Sequence, residues 1–252
     1  MSETTLLRAL RVIDEISKHP DGLGFSALRK FLGNPSPTTV NTILKELLGM
    51  EVLQKTSGKT YVLGTRTYFW GKAAARTNDP MRIVRARMRR LHEEFQASVN
   101  LFTCSQGNLF CLESFVAPQS PSMWPAGQSL ALSLPVVGSV FFYDPVQLQD
   151  EGLLQQELAA HGEEISLDDV KKMIREALQT RMQDDGGLFY PGMRRFAVPI
   201  RDRERTVLVL GLGVLEARLN RSDIRDRIIS RMEEARESLE QTFNNQYSEK
   251  EL

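Results

Sequence analysis

Ser36-Pro37-Thr38-Thr39-Val40-Asn41-Thr42-Ile43-Leu44-Lys45-Glu46-Leu47-Leu48 is the stretch that decides the N-terminal fold. Ser36 is a favoured N-cap, and Pro37 suits the first helical position, where its missing N–H costs nothing. Val40, Ile43, Leu44 and Leu47 recur at helical spacing and should face a core. Thr38, Thr39, Asn41, Thr42 and Lys45 are left on or near the outer face.

Two shorter patterns precede this helix. Leu6, Leu10, Ile13 and Ile16 form one stripe of a helix over residues 5–18, which His19-Pro20-Asp21-Gly22 ends. Ser26 is placed to cap a second helix through Leu28, Phe31 and Leu32, stopped by Gly33-Asn34-Pro35. Strand-like residues 52–55 and 60–63 follow, joined by the polar, glycine-containing turn Thr56-Ser57-Gly58-Lys59. Three helices and a hairpin in this order predict a winged helix-turn-helix, with Asn41 able to bond adenine edges and the threonines and Lys45 available to phosphates or bases. Lys55 and Lys59 sit on the predicted wing, where they can follow the backbone of double-stranded DNA.

The expected boundaries are a DNA-binding domain over residues 1–64, a linker helix over 65–78 and a controlling domain over 79–247, to which the family resemblance given below assigns effector binding and oligomerisation. Charge follows this division. Residues 1–78 hold 11 Lys/Arg against 6 Asp/Glu, whereas residues 96–252 hold 16 against 23, so only the front is suited to phosphates. Arg82, Arg85, Arg87, Arg89 and Arg90 form a basic run between them, read as a solvated helix face.

Beyond the linker, residues 79–95 read as a long helix. Residues 98–104 and 109–115 read as a hairpin around Ser105-Gln106-Gly107-Asn108. Residues 134–143 read as a buried helix, Asp144-Pro145 as the cap of another, and Ser166-Leu167-Asp168-Asp169 as the start of a third. Residues 196–200 and 207–215 read as core strands, and a closing helix from Ser222 repeats Ile224, Ile228, Met232, Ala235 and Leu239. The fold class is α+β, with one antiparallel sheet flanked by helices.

The 252 residues carry 41% hydrophobic and 25% charged residues, an ordinary globular balance. Met1-Ser2-Glu3-Thr4-Thr5 has no signal-peptide character, and the apolar run 207–215 is too short to span a bilayer, so no membrane partner is expected. Two cysteines, Cys104 and Cys111, fit a reducing cytoplasm, the expected location. His19, His92 and His161 are scattered without ligand spacing, so no metal site is expected. No nucleophile–base pair suggests catalysis, and no cofactor is implied.

In order and spacing over nearly the whole chain, these residues resemble the IclR family of bacterial transcriptional regulators. The likeness is carried by Thr39-Val40 with Ile43-Leu44, by Tyr61-Val62-Leu63-Gly64, by Ser98-Val99-Asn100-Leu101, by the glycine spacing from Gly127 to Gly138, and by Pro191-Gly192-Met193-Arg194-Arg195 before Ala197-Val198-Pro199-Ile200-Arg201-Asp202. The resemblance implies a GAF-like sensor domain, a homodimer or dimer of dimers, a promoter operator as DNA partner and a small-molecule effector. The outcome, repression or activation, stays open. The chain departs from the family where Thr42 replaces a usual arginine and Arg195 a frequent cysteine.

The effector pocket implied is residues 127–138 together with Cys104, Trp124, Phe189 and Arg195. Ser129 and Ser133 would donate hydrogen bonds, Leu130 and Ala131 would line the wall, and Arg194 or Arg195 would hold a carboxylate. A small organic acid follows from the resemblance, and Leu188 and Phe189 favour one with an apolar part. With Lys45 the sole basic residue between Ser36 and Leu48, the alternative is a DNA-independent or ligand-independent interaction adaptor of the same architecture.

Overall fold

In the computed structural model, the described residues are 3–76, 79–118, 126–127, 129–159, 165–220 and 222–248. They divide into two compact units, Met1–Asp79 and Pro80–Leu252.

The first unit contains α1 (Thr5–Ser17), β1 (Leu23–Gly24), α2 (Phe25–Phe31), α3 (Pro37–Gly49), β2 (Leu53–Lys55), β3 (Thr60–Leu63) and α4 (Thr65–Arg76). Ser36 caps α3 by accepting from the Thr39 N–H at 3.1 Å. Val40, Ile43, Leu44 and Leu47 are all buried, packed with Val12, Ile16, Leu28, Leu53 and Tyr61. The hairpin β2–β3 gains a third strand, β1, giving the order β1-β3-β2. This two-residue strand moves the start of α2: Gly24 pairs with Thr60 and occupies the N-cap position expected of Ser26. The α1 stripe also differs from expectation. Val12 and Ile16 are buried, whereas Leu6 and Leu10 are 71% and 54% exposed, because α1 turns the face bearing Ala9, Val12, Ile13 and Ile16 to the core.

The second unit is a six-stranded antiparallel sheet in the order β6-β5-β4-β9-β8-β7, with helices on both faces. Its elements are α5 (Asp79–Phe95), β4 (Ser98–Ser105), β5 (Asn108–Phe115), β6 (Ser129–Ala131), α6 (Glu151–Ala159), α7 (Leu167–Thr180), β7 (Gln183–Asp184), β8 (Met193–Asp202), β9 (Arg205–Leu215) and α8 (Ser222–Ser248). Alternation along β8 and β9 divides the core in two. Phe196, Val198, Ile200, Leu210, Leu212 and Val214 meet Val84, Met88 and Leu91 of α5 and Ile228, Met232 and Leu239 of α8. Ala197 and Val209 face the other way, against Leu134, Val137, Phe141, Leu154 of α6, Val170 and Ile174 of α7, and Phe189.

Residues 134–143 do not form the expected buried helix. They run as turns with one 3-10 turn, Ser139–Phe141. Gly138 decides this: it holds φ at +78°, and a Cβ there would fall 2.2 Å from Val209 Cγ1. The backbone lies directly on the sheet, closer than a helix would allow. Asp144-Pro145 likewise precedes a short 3-10 turn, Gln147–Gln149, and the next helix begins only at Glu151. Among the described residues, no helix is long and apolar enough to cross a membrane.

Candidate functional site

On α3, Thr38, Asn41, Thr42 and Lys45 are exposed and Thr39 is half-buried. Two of the threonines are already engaged. Thr42 Oγ1 donates to the Thr38 carbonyl at 3.0 Å, and Thr39 Oγ1 shares a 2.8 Å hydrogen bond with Ser36 Oγ. Asn41 and Lys45, one turn apart, present their polar ends without such a bond. On the hairpin, Lys59 sits at the tip in a left-handed conformation, φ +61°, and both Lys59 and Lys55 are exposed. Lys55 Nζ lies 5.4 Å from the centre of the Tyr61 ring, which steadies its stem while leaving the charge outward. Arg29, not singled out from the sequence, donates from Nε to the Pro35 carbonyl at 3.0 Å and pins the turn that aims α3.

The basic run on α5 is not simply a solvated face. Arg85 pairs with Glu113, Arg87 donates to Ser238 Oγ at 2.8 Å, and Arg89 lies over the Phe115 ring.

In the second unit, the expected effector residues separate. Ser129 and Ala131 are exposed and Leu130 half-buried on the edge strand β6, which pairs with β5. Ser133 and Cys104 are half-buried, and Trp124 lies outside the described residues. Burial pushes both cysteine thiols above their ordinary range, which disfavours the reactive thiolate. Near Cys104, Tyr143 donates from its hydroxyl to Glu157 Oε1 at 2.9 Å, and Glu157 Oε2 accepts from the Leu134 N–H at 3.3 Å. Burial, reinforced by Glu157, raises the Tyr143 phenol far above its usual value, so it stays a donor.

Phe189 and Arg195 are brought together with Pro135 in the interior. Arg195, 2% exposed, donates from Nε to Asp185 Oδ2 at 2.5 Å and from Nη1 to the Pro135 carbonyl at 2.7 Å. Asp185 Oδ1 accepts from the backbone N–H groups of Arg195 and Gly187. The guanidinium that the sequence offered as a carboxylate anchor therefore already holds an internal carboxylate.

Asp184, the neighbour of Asp185, grips the other face. Its Oδ1 accepts from Arg194 Nε at 2.6 Å, and its Oδ2 accepts from Arg194 Nη2 at 2.7 Å and from Arg225 Nε of α8 at 3.0 Å. Two consecutive carboxylates thus tie the Pro135 side of the sheet to the helix side. A cavity of about 360 Å³ beside them is lined by Asp169, Lys172, Glu176, Asp184, Arg194 and Arg225.

Burial alone would raise the Asp184 carboxyl, but Arg194, the Gly186 N–H and Arg225 outweigh it and hold the group below its ordinary value. A depressed folded-state pKa stabilises the fold above the unfolded value, near pH 4, and that contribution is lost as pH falls through the folded value. Asp184→Asn should cost about 1–3 kcal/mol at neutral pH and give a flatter acid limb in denaturant midpoints against pH. An unchanged acid limb would remove Asp184 from the acid response.

No protein-family model and no curated protein matches the chain. Solved structures do. The crystal structure of an IclR-type transcriptional regulator from Alicyclobacillus acidocaldarius is 17% identical, with 97% of this chain and all of that one covered and a TM-score of 0.74. An IclR-family regulator from Brucella abortus is 18% identical over 96% of this chain and 92% of that one, TM-score 0.68. An IclR homologue from Microbacterium hydrocarbonoxydans, solved with 4-hydroxybenzoate, is 14% identical over 96% of this chain and all of that one, TM-score 0.72. The chain has the α+β fold of IclR-type regulators, with a winged helix-turn-helix unit and a GAF-like unit built on an antiparallel sheet.

Proposed function

We propose that this chain is a sequence-specific, DNA-binding transcriptional regulator, acting as a homodimer or dimer of dimers under control of a small effector. One observation carries the reading: α3 buries all four apolar residues of its inner face and turns Thr38, Asn41, Thr42 and Lys45 outward, beside a lysine-tipped hairpin. A helix presented in this way suits the major groove, with the hairpin along the backbone. Few basic groups imply few phosphate contacts and a shallow salt dependence, so paired half-sites would supply the affinity.

The neighbour solved with 4-hydroxybenzoate supports a small ring compound as the type of effector this fold accommodates. Asp184 and Asp185 suggest how occupancy is felt. A ligand that shifts Arg195 pulls on Asp185, and Asp184 carries the displacement to Arg225 on α8. Any such ligand acts by binding two arrangements of this link unequally.

The test is selection of bound duplexes from a randomised pool, then titration of variants. Asn41→Ala should weaken binding to the selected site about fivefold to a hundredfold, a loss of ~1–3 kcal/mol, and hardly affect random DNA. Lys45→Ala should weaken both and lower the salt slope by about 1 if Lys45 meets a phosphate. Equal losses from Asn41→Ala on every sequence would take that residue out of base reading. The low charge of α3 favours one other reading, an adaptor without DNA, and failure to enrich any sequence would select it.

A further inference from the structure

Arg195 is among the largest fully buried side chains of the protein, and its donors can be followed nitrogen by nitrogen. Nε donates to Asp185 and Nη1 to the Pro135 carbonyl, while Nη2 is buried with no hydrogen-bond partner among the described residues. A guanidinium has only donors, so an acceptor is what is missing. Leaving a buried donor unsatisfied carries a desolvation cost that a bound acceptor would remove.

The surroundings are aromatic. The Tyr190 ring centre is 4.4 Å from the Arg195 guanidinium carbon and the Phe189 ring centre 5.5 Å. Phe189 is buried, whereas Tyr190 is 42% exposed. Both rings ride on the segment joining β7 to β8, where Gly186, Gly187 and Gly192 hold positive φ on either side of them.

We infer that Arg195 Nη2 is the polar anchor of a small-molecule site whose ligand is a flat, apolar compound offering one uncharged acceptor oxygen, such as an aryl ketone, ester or amide. This rests on the reading of the second unit as an effector sensor, and it replaces the carboxylate suggested by an arginine in the sequence with a neutral group. The reason is charge. Asp185 is fully buried and already neutralises Arg195, so a ligand carboxylate would leave a net negative charge in the interior.

The experiment is calorimetry of the full chain against acetophenone, methyl benzoate and benzamide, each beside benzoate. The same titrations are repeated on the double variant Arg195→Met/Asp185→Leu, which removes both charges together so that neither is stranded. Neutral compounds should bind at least tenfold more tightly than benzoate and lose at least tenfold in the double variant, with its circular dichroism unchanged. Benzoate binding more tightly, in an Arg195-dependent way, would overturn the neutral-ligand inference and leave the sensor reading standing. Neutral compounds that bind equally to both proteins would overturn Arg195 as anchor. Failure of every neutral compound to bind would overturn the inference, the interior then being closed around the Arg195–Asp185 pair. The DNA selection described above decides the regulator reading separately from all of these results.

Discussion

Asp185→Ala is expected to destabilise the second unit by about 3–5 kcal/mol, the range for removing one partner of a buried ion pair. The carboxylate is inaccessible to water and satisfies three donors: the Arg195 side chain, the Arg195 amide and the Gly187 amide. Removing it strands a guanidinium charge in the interior with the Pro135 carbonyl as its one remaining acceptor. It also releases the backbone of the segment that carries Phe189. The double variant Arg195→Met/Asp185→Leu should recover part of the loss, because no charge is then stranded, while the Arg195 and Gly187 amides still lack their acceptor. Lys171→Ala, which breaks the exposed pair with Glu151, should cost under about 1 kcal/mol by comparison. Denaturant unfolding followed by amide exchange in β8 and β9 measures all three. A loss below 1 kcal/mol for Asp185→Ala would mean that water reaches the pair.

That pair also marks where reading the sequence stops. Helical periodicity identified Val40, Ile43, Leu44 and Leu47 because an amphipathic helix writes its inner face into residue spacing, and all four are buried. The hairpins were legible for a similar reason, since polar glycine turns separate short apolar runs. Residues 134–143 carry no such period. An apolar run suits a buried helix or a packed turn equally well, and the choice rests on a contact between Gly138 and Val209, 71 positions away. Ser26 and Gly24 differ on the same ground, because a two-residue strand paired with Thr60 is too short to leave a pattern. In the second unit, the type of Arg195 was legible but its state was not. Asp185 stands ten residues earlier in what reads as loop, and nothing local reveals that the two meet. Glu157 and Tyr143 were missed for the same reason, being ordinary residues until the fold places them beside Leu134.

Ile43→Ala should have the largest effect in the first unit, about 2–5 kcal/mol, from lost burial and the cavity left behind. Ile43 is 1% exposed and packs in a core that also holds Leu28, Leu44, Leu53 and Tyr61. A unit of this size has little stability to spare, and each kcal/mol lowers its melting temperature by roughly 4–8 °C. The consequence for DNA differs in kind from that of Asn41→Ala, two residues away on the outer face. Asn41→Ala should leave the fold intact and lose discrimination between sequences. Ile43→Ala should lose all DNA binding together as temperature rises, since α3 then has no fixed surface behind it. Amide exchange in α3, β2 and β3 separates the cases: faster for Ile43→Ala, unchanged for Asn41→Ala. If both variants leave exchange unchanged while both weaken DNA binding, α3 is not held by the face that the structure buries. The division of this helix into a packing side and a reading side would then have to be abandoned.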